Sequence, residues 1–180
     1  MNIVLIGYRC SGKTTVGKLL ARDLKRNFLD TDRLIEEKTG LPVHSYVSQN
    51  GWRDFRVVEK EVVEAIASRD ASVIATGGGV VIDQENVRNL RKNGWVVWLD
   101  TDAPDIKDRM KGEGKAGRLR PSLSGVDPLD EIDQILNERT PFYEHARDYT
   151  VDTNGRTPEE VVQEIMMAFS RKHKNHREGQ

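Results

Sequence analysis

Residues Gly7 to Thr14 read GYRCSGKT, and they match the pattern G-x-x-x-x-G-K-[ST] of a phosphate-binding loop. They follow an apolar run, Ile3 to Ile6, and precede an amphipathic segment. Between a strand and a helix, the backbone N–H groups of such a loop surround phosphate oxygens. We therefore expect a nucleoside triphosphate here, with Lys13 on its β- and γ-phosphates and the Thr14 hydroxyl on Mg²⁺. The alternative is a glycine-rich turn with an exposed lysine.

The predicted nucleotide contacts cover the whole loop and the residue after it: Gly7, Arg9, Cys10, Ser11, Gly12, Lys13, Thr14 and Thr15. Cys10 is the single cysteine, so the chain can form neither an internal disulfide nor a cysteine-based metal site. We interpret it as a small filler of the loop rather than a nucleophile, because phosphoryl transfer here needs no covalent intermediate on the protein.

The rest of the chain narrows the class of nucleotide-using protein. A switch GTPase would carry an N-K-x-D base-recognition motif, and the sequence has none. A motor or transport ATPase would be larger and would carry an apolar strand ending in Asp-Glu, which is also missing. A small-molecule kinase needs only the phosphate loop, an acceptor pocket and a lid, and 180 residues suffice for these.

Three further clusters could hold an acceptor. Asp30-Thr31-Asp32 follows an apolar run, so one carboxylate could help hold Mg²⁺ and the other orient a hydroxyl, unless they only cap a helix. Arg56 and Glu59 share one helix face, where they form either a carboxylate-binding fork with its support or a plain surface ion pair. Gly77-Gly78-Gly79 lets a ligand approach the backbone, or is only a tight turn.

The elements that position these clusters are predicted from apolar periodicity. Continuous apolar runs predict strands at 2–6, 28–30, 72–75, 95–99 and 149–151. Amphipathic segments predict helices between them, with starts at Asp83, Asp127-Pro128 and Thr157-Pro158 and a stop at Gly94. Strands that are apolar on both faces, alternating with helices, predict an α/β fold whose parallel sheet is covered on both sides.

The segment Lys111 to Val126 fits neither a helix nor a strand, because it contains four glycines and a proline. A loop of this length in a compact domain is typical of a lid. Residues 107–120 carry six basic and two acidic side chains, which suits a lid that closes over ATP and neutralises phosphoryl charge. The plain alternative is a solvated basic loop. Arg109 is the candidate for stacking on adenine.

The ordered set of motifs resembles the shikimate kinase family. It comprises the phosphate loop, Asp30-Thr31-Asp32, Gly51-Trp52 with Phe55-Arg56 and Glu59, Gly77-Gly78-Gly79, Arg120-Pro121, and Arg139 with Pro141 and Tyr143. The match runs from Met1 to about Phe169. It implies a P-loop NTPase fold of the nucleoside-monophosphate-kinase type, with five parallel strands in the order 2-3-1-4-5 and a mobile lid. It also implies phosphorylation of shikimate by ATP to give 3-phosphoshikimate and ADP, in chorismate and aromatic amino acid biosynthesis.

The resemblance also implies roles for individual residues. It assigns catalysis to Lys13, Asp32 and Arg120, the substrate to Asp32, Arg56, Gly77, Gly78, Gly79 and Arg139, the metal to Thr14 and Asp30, and further nucleotide contacts to Arg109, Arg120 and Arg156. In this assignment Asp32 binds the ring hydroxyls and accepts the proton, while Arg56 and Arg139 clamp the shikimate carboxylate. Arg120 is the lid arginine that reaches the transferring phosphoryl group. Pro121-Ser122-Leu123 departs from the family's usual Pro-Leu-Leu, which affects lid packing more than chemistry.

Composition and net charge limit the classes of partner that the sequence predicts. Charged residues make up 32% of the chain, and no apolar run approaches the ~20 residues of a membrane span. The net charge of −1 gives no support for nucleic-acid binding. We expect a cytoplasmic monomer without nucleic-acid or membrane partners. We expect one kinase domain at 1–170, with a substrate-binding region at about 31–62, a lid at about 111–126, and a disordered basic tail at 171–180.

Two other functions remain open from the sequence. A gluconate kinase of the same fold also binds a polyhydroxy carboxylate, so arginine forks alone do not exclude it. A kinase-like module that binds without catalysis would lack Lys13, Asp32 or a pocket arginine, and all of these are present.

Overall fold

Strands and helices alternate along the chain as the apolar pattern predicts. The computed structural model describes residues 1–115, 127 and 129–178. Within them the strands are β1 (Asn2–Ile6), β2 (Asn27–Asp30), β3 (Ser72–Ala75), β4 (Gly94–Asp100) and β5 (Tyr149–Asp152). The helices are α1 (Lys13–Leu24), α2 (Thr31–Thr39), α3 (Val43–Ala67), α4 (Gln84–Lys92), α5 (Ala103–Lys115), α6 (Ile132–Ala146) and α7 (Pro158–Glu178), with a 3₁₀ turn at Val80–Ile82.

The five strands form one sheet in the order β2-β3-β1-β4-β5, and every neighbouring pair is parallel. The predicted order 2-3-1-4-5 is confirmed. Ile3 of β1 is level with Val73 on one side and with Trp95 on the other. Because parallel strands end at one edge, the loops after β1, β2 and β3 open on the same side of the sheet. These loops are the phosphate loop, Asp30–Asp32 and the triple glycine.

Helices cover both faces of the sheet, which explains the continuously apolar strands. Ile3 and Leu5 pack in a cluster with side chains of α1 and α7, whereas Val4 and Ile6 pack on the opposite face with α3, α4 and α6. All four side chains have at most 1% of their surface exposed. Alternation within β1 therefore supplies both cores at once, as in other doubly covered parallel sheets.

Helix α3 bends at Gly51, whose backbone is non-helical (φ 81°, ψ 168°). A positive φ of this kind suits glycine, because other L-residues pay a steric cost there. After the bend, Phe55 packs with Ile35 of α2 and Val62, so that the apolar side of α3 is fixed against α2. Arg56 follows Phe55 in α3 and lies beside the triple glycine, at the carboxyl edge of the sheet.

Helix α5 extends further than the sequence pattern indicates. The predicted loop began at Lys111, but the helix continues to Lys115. Ile106 is fully buried and Met110 packs beside it, in a cluster with Tyr8 and Ile132. These contacts outweigh the two glycines of the helix, Gly112 and Gly114, each of which costs only ~1 kcal/mol. The remainder of the predicted lid, residues 116–126, lies outside the described residues.

The predicted helix start at Asp127-Pro128 is wrong, because α6 begins at Ile132. Asp127 instead caps a turn, in which its carboxylate accepts the Leu129 N–H at 2.8 Å and its carbonyl accepts the N–H groups of Asp130 and Glu131. Asp83 and Thr157 cap α4 and α7 as predicted, and Gly94 is the first residue of β4.

The last helix, α7, continues to Glu178, into the segment 171–180 for which the sequence predicts disorder. Its start is a reciprocal cap: Thr157 N–H donates to Glu160 at 2.8 Å, and Glu160 N–H donates back to the Thr157 hydroxyl at 3.3 Å. Among the helices in the described ranges, none combines the length and the apolar character that crossing a bilayer requires.

Candidate active site

The loop between β1 and α1 has the backbone that a phosphate cradle requires. Gly7 and Gly12 have φ values of +144° and +95°, and a Cβ on Gly7 would lie 2.6 Å from the Leu99 carbonyl oxygen. Glycine is therefore required at Gly7 both by conformation and by space. Cys10 also has a positive φ, 61°, which is unusual for a side chain that cannot bond its own backbone as Asn or Asp does.

Lys13 lies folded over this loop at the start of α1. Its Nζ donates to the carbonyls of Gly7 at 2.8 Å and Tyr8 at 2.6 Å, and to the Ser11 hydroxyl at 3.4 Å. Only 8% of the residue is exposed. The ammonium is thus held at the centre of the loop, where a phosphate would offer it a stronger, charged acceptor.

A cavity of about 910 Å³ opens above the loop. All the loop residues predicted to contact the nucleotide, apart from Gly7, line it, together with Arg109 and Arg156. Arg109 donates to the Thr153 carbonyl at 2.7 Å and to the Cys10 carbonyl at 3.3 Å, so it joins α5 to the phosphate loop. Arg156 donates to Glu164 at 2.6 Å and to the Asp152 carbonyl at 2.9 Å. Both arginines are therefore fixed at the rim.

Thr14 and Asp30 meet at the floor of this cavity, where the Thr14 hydroxyl donates to Asp30 Oδ2 at 2.9 Å. The other oxygen of Asp30 caps α2 by accepting the N–H groups of Asp32 at 3.1 Å and Arg33 at 3.5 Å. The capping and metal-side interpretations of Asp30 are therefore compatible, since each uses a different carboxylate oxygen.

A second cavity, of about 230 Å³, adjoins the first. It is lined by the residues predicted to bind the substrate, namely Asp32, Arg56, Gly77, Gly78, Gly79 and Arg139. Arg9, Asp32 and Gly78 line both cavities. A group in the larger cavity and a group in the smaller one can therefore meet at these three residues.

Arg56 is held in the smaller cavity by charge and by aromatic rings. Its Nη1 donates to Glu59 Oε2 at 2.6 Å, and its guanidinium lies 5.5 Å from the Trp52 ring centre and 5.3 Å from that of Phe55. Glu59 is only 1% exposed, so the pair is not a plain surface ion pair. Burial raises the pKa of Glu59, and the nearby Asp32 charge acts in the same direction, while Arg56 opposes both.

Arg139 enters the cavity from α6. Its Nη1 donates to the Gly78 carbonyl at 3.4 Å, and its guanidinium lies 6.0 Å from the Tyr8 ring centre. Arg56 and Arg139 thus approach one small space from two different helices, α3 and α6. Two guanidinium groups that face one cavity form a site for an anion such as a carboxylate.

The triple glycine lies between these groups because larger residues do not fit. A Cβ on Gly77 would lie 2.7 Å from Asp32 Oδ1, and a Cβ on Gly79 would lie 2.3 Å from Arg56 Nη2. The Gly77 N–H is held by the buried Thr31 hydroxyl at 2.8 Å. The turn is therefore more than a plain tight turn, since its bare backbone forms one wall of the cavity.

Sequence reasoning missed several residues that shape the site. Glu131 forms a buried ion pair with Arg9, in which 9% of the arginine side chain and none of the glutamate is exposed. In the sequence Thr31 and Trp52 stand only as parts of motifs, although Thr31 fixes Gly77 and Trp52 lies against the Arg56 guanidinium. No local pattern marks Glu131. Arg120 lies outside the described residues.

The fold and the two cavities together define a class of protein. A phosphate loop at the edge of a 2-3-1-4-5 parallel sheet, next to a small cavity lined by three arginines, three carboxylates and bare glycine backbone, is the arrangement of a P-loop kinase acting on a small anionic metabolite. The family model for shikimate kinase matches residues 9–170. The chain belongs to the shikimate kinase family, which confirms the resemblance seen in the motifs.

Curated relatives and solved structures agree with this membership. The shikimate kinase of Symbiobacterium thermophilum is 46% identical over 166 residues, which cover 92% of this chain and 94% of that protein. The shikimate kinase of Moorella thermoacetica is 46% identical over 168 residues, covering 93% and 94%. The structure of shikimate kinase from Acinetobacter baumannii in complex with shikimate is 34% identical, with a TM-score of 0.87 over 95% of this chain and 93% of that one.

Proposed function

We propose that this chain transfers the γ-phosphoryl group of ATP to the 3-hydroxyl of shikimate, giving 3-phosphoshikimate and ADP for chorismate and aromatic amino acid biosynthesis. The observation that carries this proposal is the pair of adjoining cavities, which share Arg9, Asp32 and Gly78. The phosphate loop belongs to the larger cavity and the two arginines to the smaller one. Family membership supports the same donor and acceptor.

The acceptor binds through its carboxylate and its ring hydroxyls. Arg56 and Arg139 hold the carboxylate, because each guanidinium can offer two parallel N–H donors to its oxygens. Glu59 keeps Arg56 in place through the 2.6 Å ion pair. The backbone of Gly77, Gly78 and Gly79 forms the wall against which the ring lies. This arrangement turns the hydroxyl side of the ring toward Asp32.

Asp32 orients the reacting hydroxyl and accepts its proton. It lines both cavities, so its carboxylate lies between the acceptor and the phosphate loop. A carboxylate in hydrogen-bond reach of the hydroxyl aligns the attacking oxygen and removes the proton as the new O–P bond forms. The bond to the leaving ADP oxygen breaks at the same centre.

The nucleotide is held by the loop from Gly7 to Gly12, which includes the Ser11 hydroxyl, with Thr14 and Thr15 adding donors at the start of α1. Lys13 leaves the loop carbonyls for the β- and γ-phosphates, because an ionised oxygen is the stronger acceptor. We propose that Arg109 and Arg156, which line the same cavity, contact the adenine side of the nucleotide. Positive charge at the loop and at the rim stabilises the negative charge that develops during transfer.

The residues at the cavity floor fit a magnesium ion. Mg²⁺ prefers oxygen ligands and is commonly bound by one or two protein oxygens together with substrate phosphates and water. Thr14 Oγ1 and Asp30 Oδ2, 2.9 Å apart, provide such a pair beside the phosphate loop. When bound, the ion would neutralise charge on the β- and γ-phosphates. We propose that the Thr14 hydroxyl oxygen would contact the ion directly, and that Asp30 would orient this hydroxyl by accepting its hydrogen bond.

Other parts of the proposal rest on the sequence. We propose that Arg120, from the segment at about 111–126, reaches the transferring phosphoryl group as a lid residue. We also propose one kinase domain at 1–170, with the substrate-binding region at about 31–62, acting as a cytoplasmic monomer without nucleic-acid or membrane partners. The net charge of −1 gives no support for nucleic-acid binding.

The test is an ADP-release assay with MgATP, comparing shikimate, gluconate and no acceptor. We expect a rate of ~1–100 s⁻¹ with shikimate, the range of small kinases, and a background rate with the other two. A response to gluconate instead would favour the rival kinase. ATP binding without turnover on either acceptor would favour a non-catalytic module.

A further inference from the structure

The carbonyl of Gly78 is a hydrogen-bond acceptor at the wall of the smaller cavity, and two side chains of α6 donate to it. Tyr143 donates its hydroxyl to this oxygen at 2.6 Å, and Arg139, one helical turn earlier, donates Nη1 at 3.4 Å. The tyrosine bond is short, whereas the arginine contact is at the outer limit for a hydrogen bond. The Tyr143 hydroxyl is therefore the stronger hydrogen-bond partner of this carbonyl.

Tyr143 is built into the core so that its hydroxyl has little freedom. The residue is 1% exposed, and its ring stacks on Trp98 with a centroid distance of 5.7 Å and an interplanar angle of 19°. Burial raises the pKa of Tyr143, so the hydroxyl remains protonated and acts as a donor. Pro141 lies between Arg139 and Tyr143 in the helix, and both side chains still face the same carbonyl.

We infer that Tyr143 is a positioning residue for the acceptor: it holds the Gly78 carbonyl so that Arg139 stays available to the substrate carboxylate. The hydroxyl also fixes the plane of the Gly78–Gly79 peptide, because C=O and N–H are locked in one plane. Gly79 lies against Arg56, where a Cβ would come within 2.3 Å of Nη2. The Tyr143 hydroxyl thus fixes the orientation of the backbone that lies between Arg56 and Arg139. The inference rests on the function proposed above.

Loss of this hydroxyl has a specific expected consequence. In a Tyr143→Phe variant the ring and its stacking on Trp98 remain, but the part-buried Gly78 carbonyl loses its short partner. The weakly bonded Arg139 guanidinium, already 3.4 Å from this oxygen, then becomes its remaining side-chain donor and closes on it. Shikimate must then displace Arg139 from Gly78 before the carboxylate can bind. Binding of the acceptor weakens, whereas the phosphate loop and its nucleotide are unaffected.

The experiment is steady-state kinetics of Tyr143→Phe, with shikimate and ATP varied separately. We expect the KM for shikimate to rise about 5- to 10-fold, the size of one lost hydrogen bond, with kcat and the KM for ATP within twofold of wild type. The matched control is Tyr149→Phe, which also loses one tyrosine hydroxyl bond, to Glu164 at 3.2 Å, but lines neither cavity. It should leave kcat and the KM for shikimate unchanged.

A double-mutant cycle with Arg139→Lys tests whether Tyr143 acts through Arg139. In that background Tyr143→Phe should change the KM for shikimate by less than twofold, because there is no longer a guanidinium fork to withdraw. An unchanged KM in the single variant, an equal rise in the KM for ATP, or a full rise in the Arg139→Lys background would each overturn the inference. Failure of the wild-type enzyme to use shikimate would instead reject the proposed function, so the two failures are distinguishable.

Discussion

Asp32 is the residue on which the proposed chemistry depends most. It lies where the two cavities meet, and its neighbour Gly77 is bare so that the carboxylate has room. The sequence predicted this residue from its place directly after β2, since the carboxyl ends of parallel strands are where ligands bind. The structure adds the second wall, from Gly77 and Gly78, which no local pattern around Asp32 could reveal.

We predict that Asp32→Asn lowers kcat about 100-fold or more, because an amide of the same shape cannot accept the proton of the acceptor hydroxyl. The KM for ATP should change little, since Lys13 and the loop backbone hold the phosphates. Steady-state kinetics on purified protein measure both constants. Near-normal turnover would exclude Asp32 as the proton acceptor.

Glu59 gives the site a pH dependence. Burial raises its pKa above the ordinary value of 4.5, so it protonates at a higher pH than an exposed glutamate. The ionised form holds Arg56, so kcat/KM for shikimate should fall on the acid side at a pH above 4.5, as Glu59 gains its proton. In Glu59→Gln the part of the acid limb that Glu59 causes should disappear, and kcat/KM should be low throughout. A wild-type profile identical in shape to the variant's would contradict the assignment.

The raised pKa of Glu59 affects the stability of the fold in the opposite direction to its effect on substrate binding. Because the folded state favours the protonated form of Glu59, the contribution of this group to the free energy of unfolding is fully present below its unfolded pKa. That contribution is lost as the pH rises through the raised folded pKa. Glu59 therefore supports substrate binding in the pH range where its own charge is unfavourable to the fold.

At the scale of elements, the backbone of the triple glycine is as important as any side chain. We predict that Gly79→Ala raises the KM for shikimate about 10-fold or more, because its Cβ would lie 2.3 Å from Arg56 Nη2 and the guanidinium must move. The clash involves the end of a flexible side chain, so the melting temperature should stay within a few degrees of wild type. Kinetics and thermal unfolding of the same preparation check both parts. An unchanged KM would mean that Arg56 does not hold the carboxylate.

The elements themselves were predictable to different degrees. The three central strands, β1, β3 and β4, follow from continuous apolar runs, and the caps at Asp83 and Thr157 follow from local chemistry that the structure reproduces. The extension of α5 to Lys115 was not predictable, because it depends on Ile106 and Met110 packing against Tyr8 and α6. Asp127 was mistaken for a helix start because the same side-chain bond also caps an ordinary turn.

At the scale of the whole molecule, the Arg9–Glu131 pair joins the phosphate loop to the start of α6, the helix that carries Arg139. The two residues are 122 positions apart, so sequence spacing gave no sign of the pair. Tyr143 and Gly78 are 65 positions apart, so the sequence marks Tyr143 only as a motif residue and not as a partner of Gly78. Contacts between distant segments decide these roles, whereas the motifs on single loops were predictable.

We predict that Glu131→Gln lowers the free energy of unfolding by ~3 kcal/mol, because removing one member of a buried ion pair leaves the Arg9 charge buried without this carboxylate. The matched control is Glu61→Gln, which removes the exposed pair with Lys38 at 2.8 Å and should cost no more than ~1 kcal/mol. Urea unfolding of both variants measures the difference. Equal effects would show that the Arg9–Glu131 pair does not stabilise the fold.

The most direct measurement compares shikimate with its methyl ester as acceptors for the wild-type enzyme and MgATP. The ester keeps the ring and the 3-hydroxyl but removes the charge that Arg56 and Arg139 are proposed to hold. We predict turnover of shikimate at ~1–100 s⁻¹. The kcat/KM for the ester should be lower by a factor of about 100 or more, since two charged hydrogen-bonding pairs are lost. Equal use of the two acceptors would contradict the arginine clamp, and no use of shikimate would contradict the function.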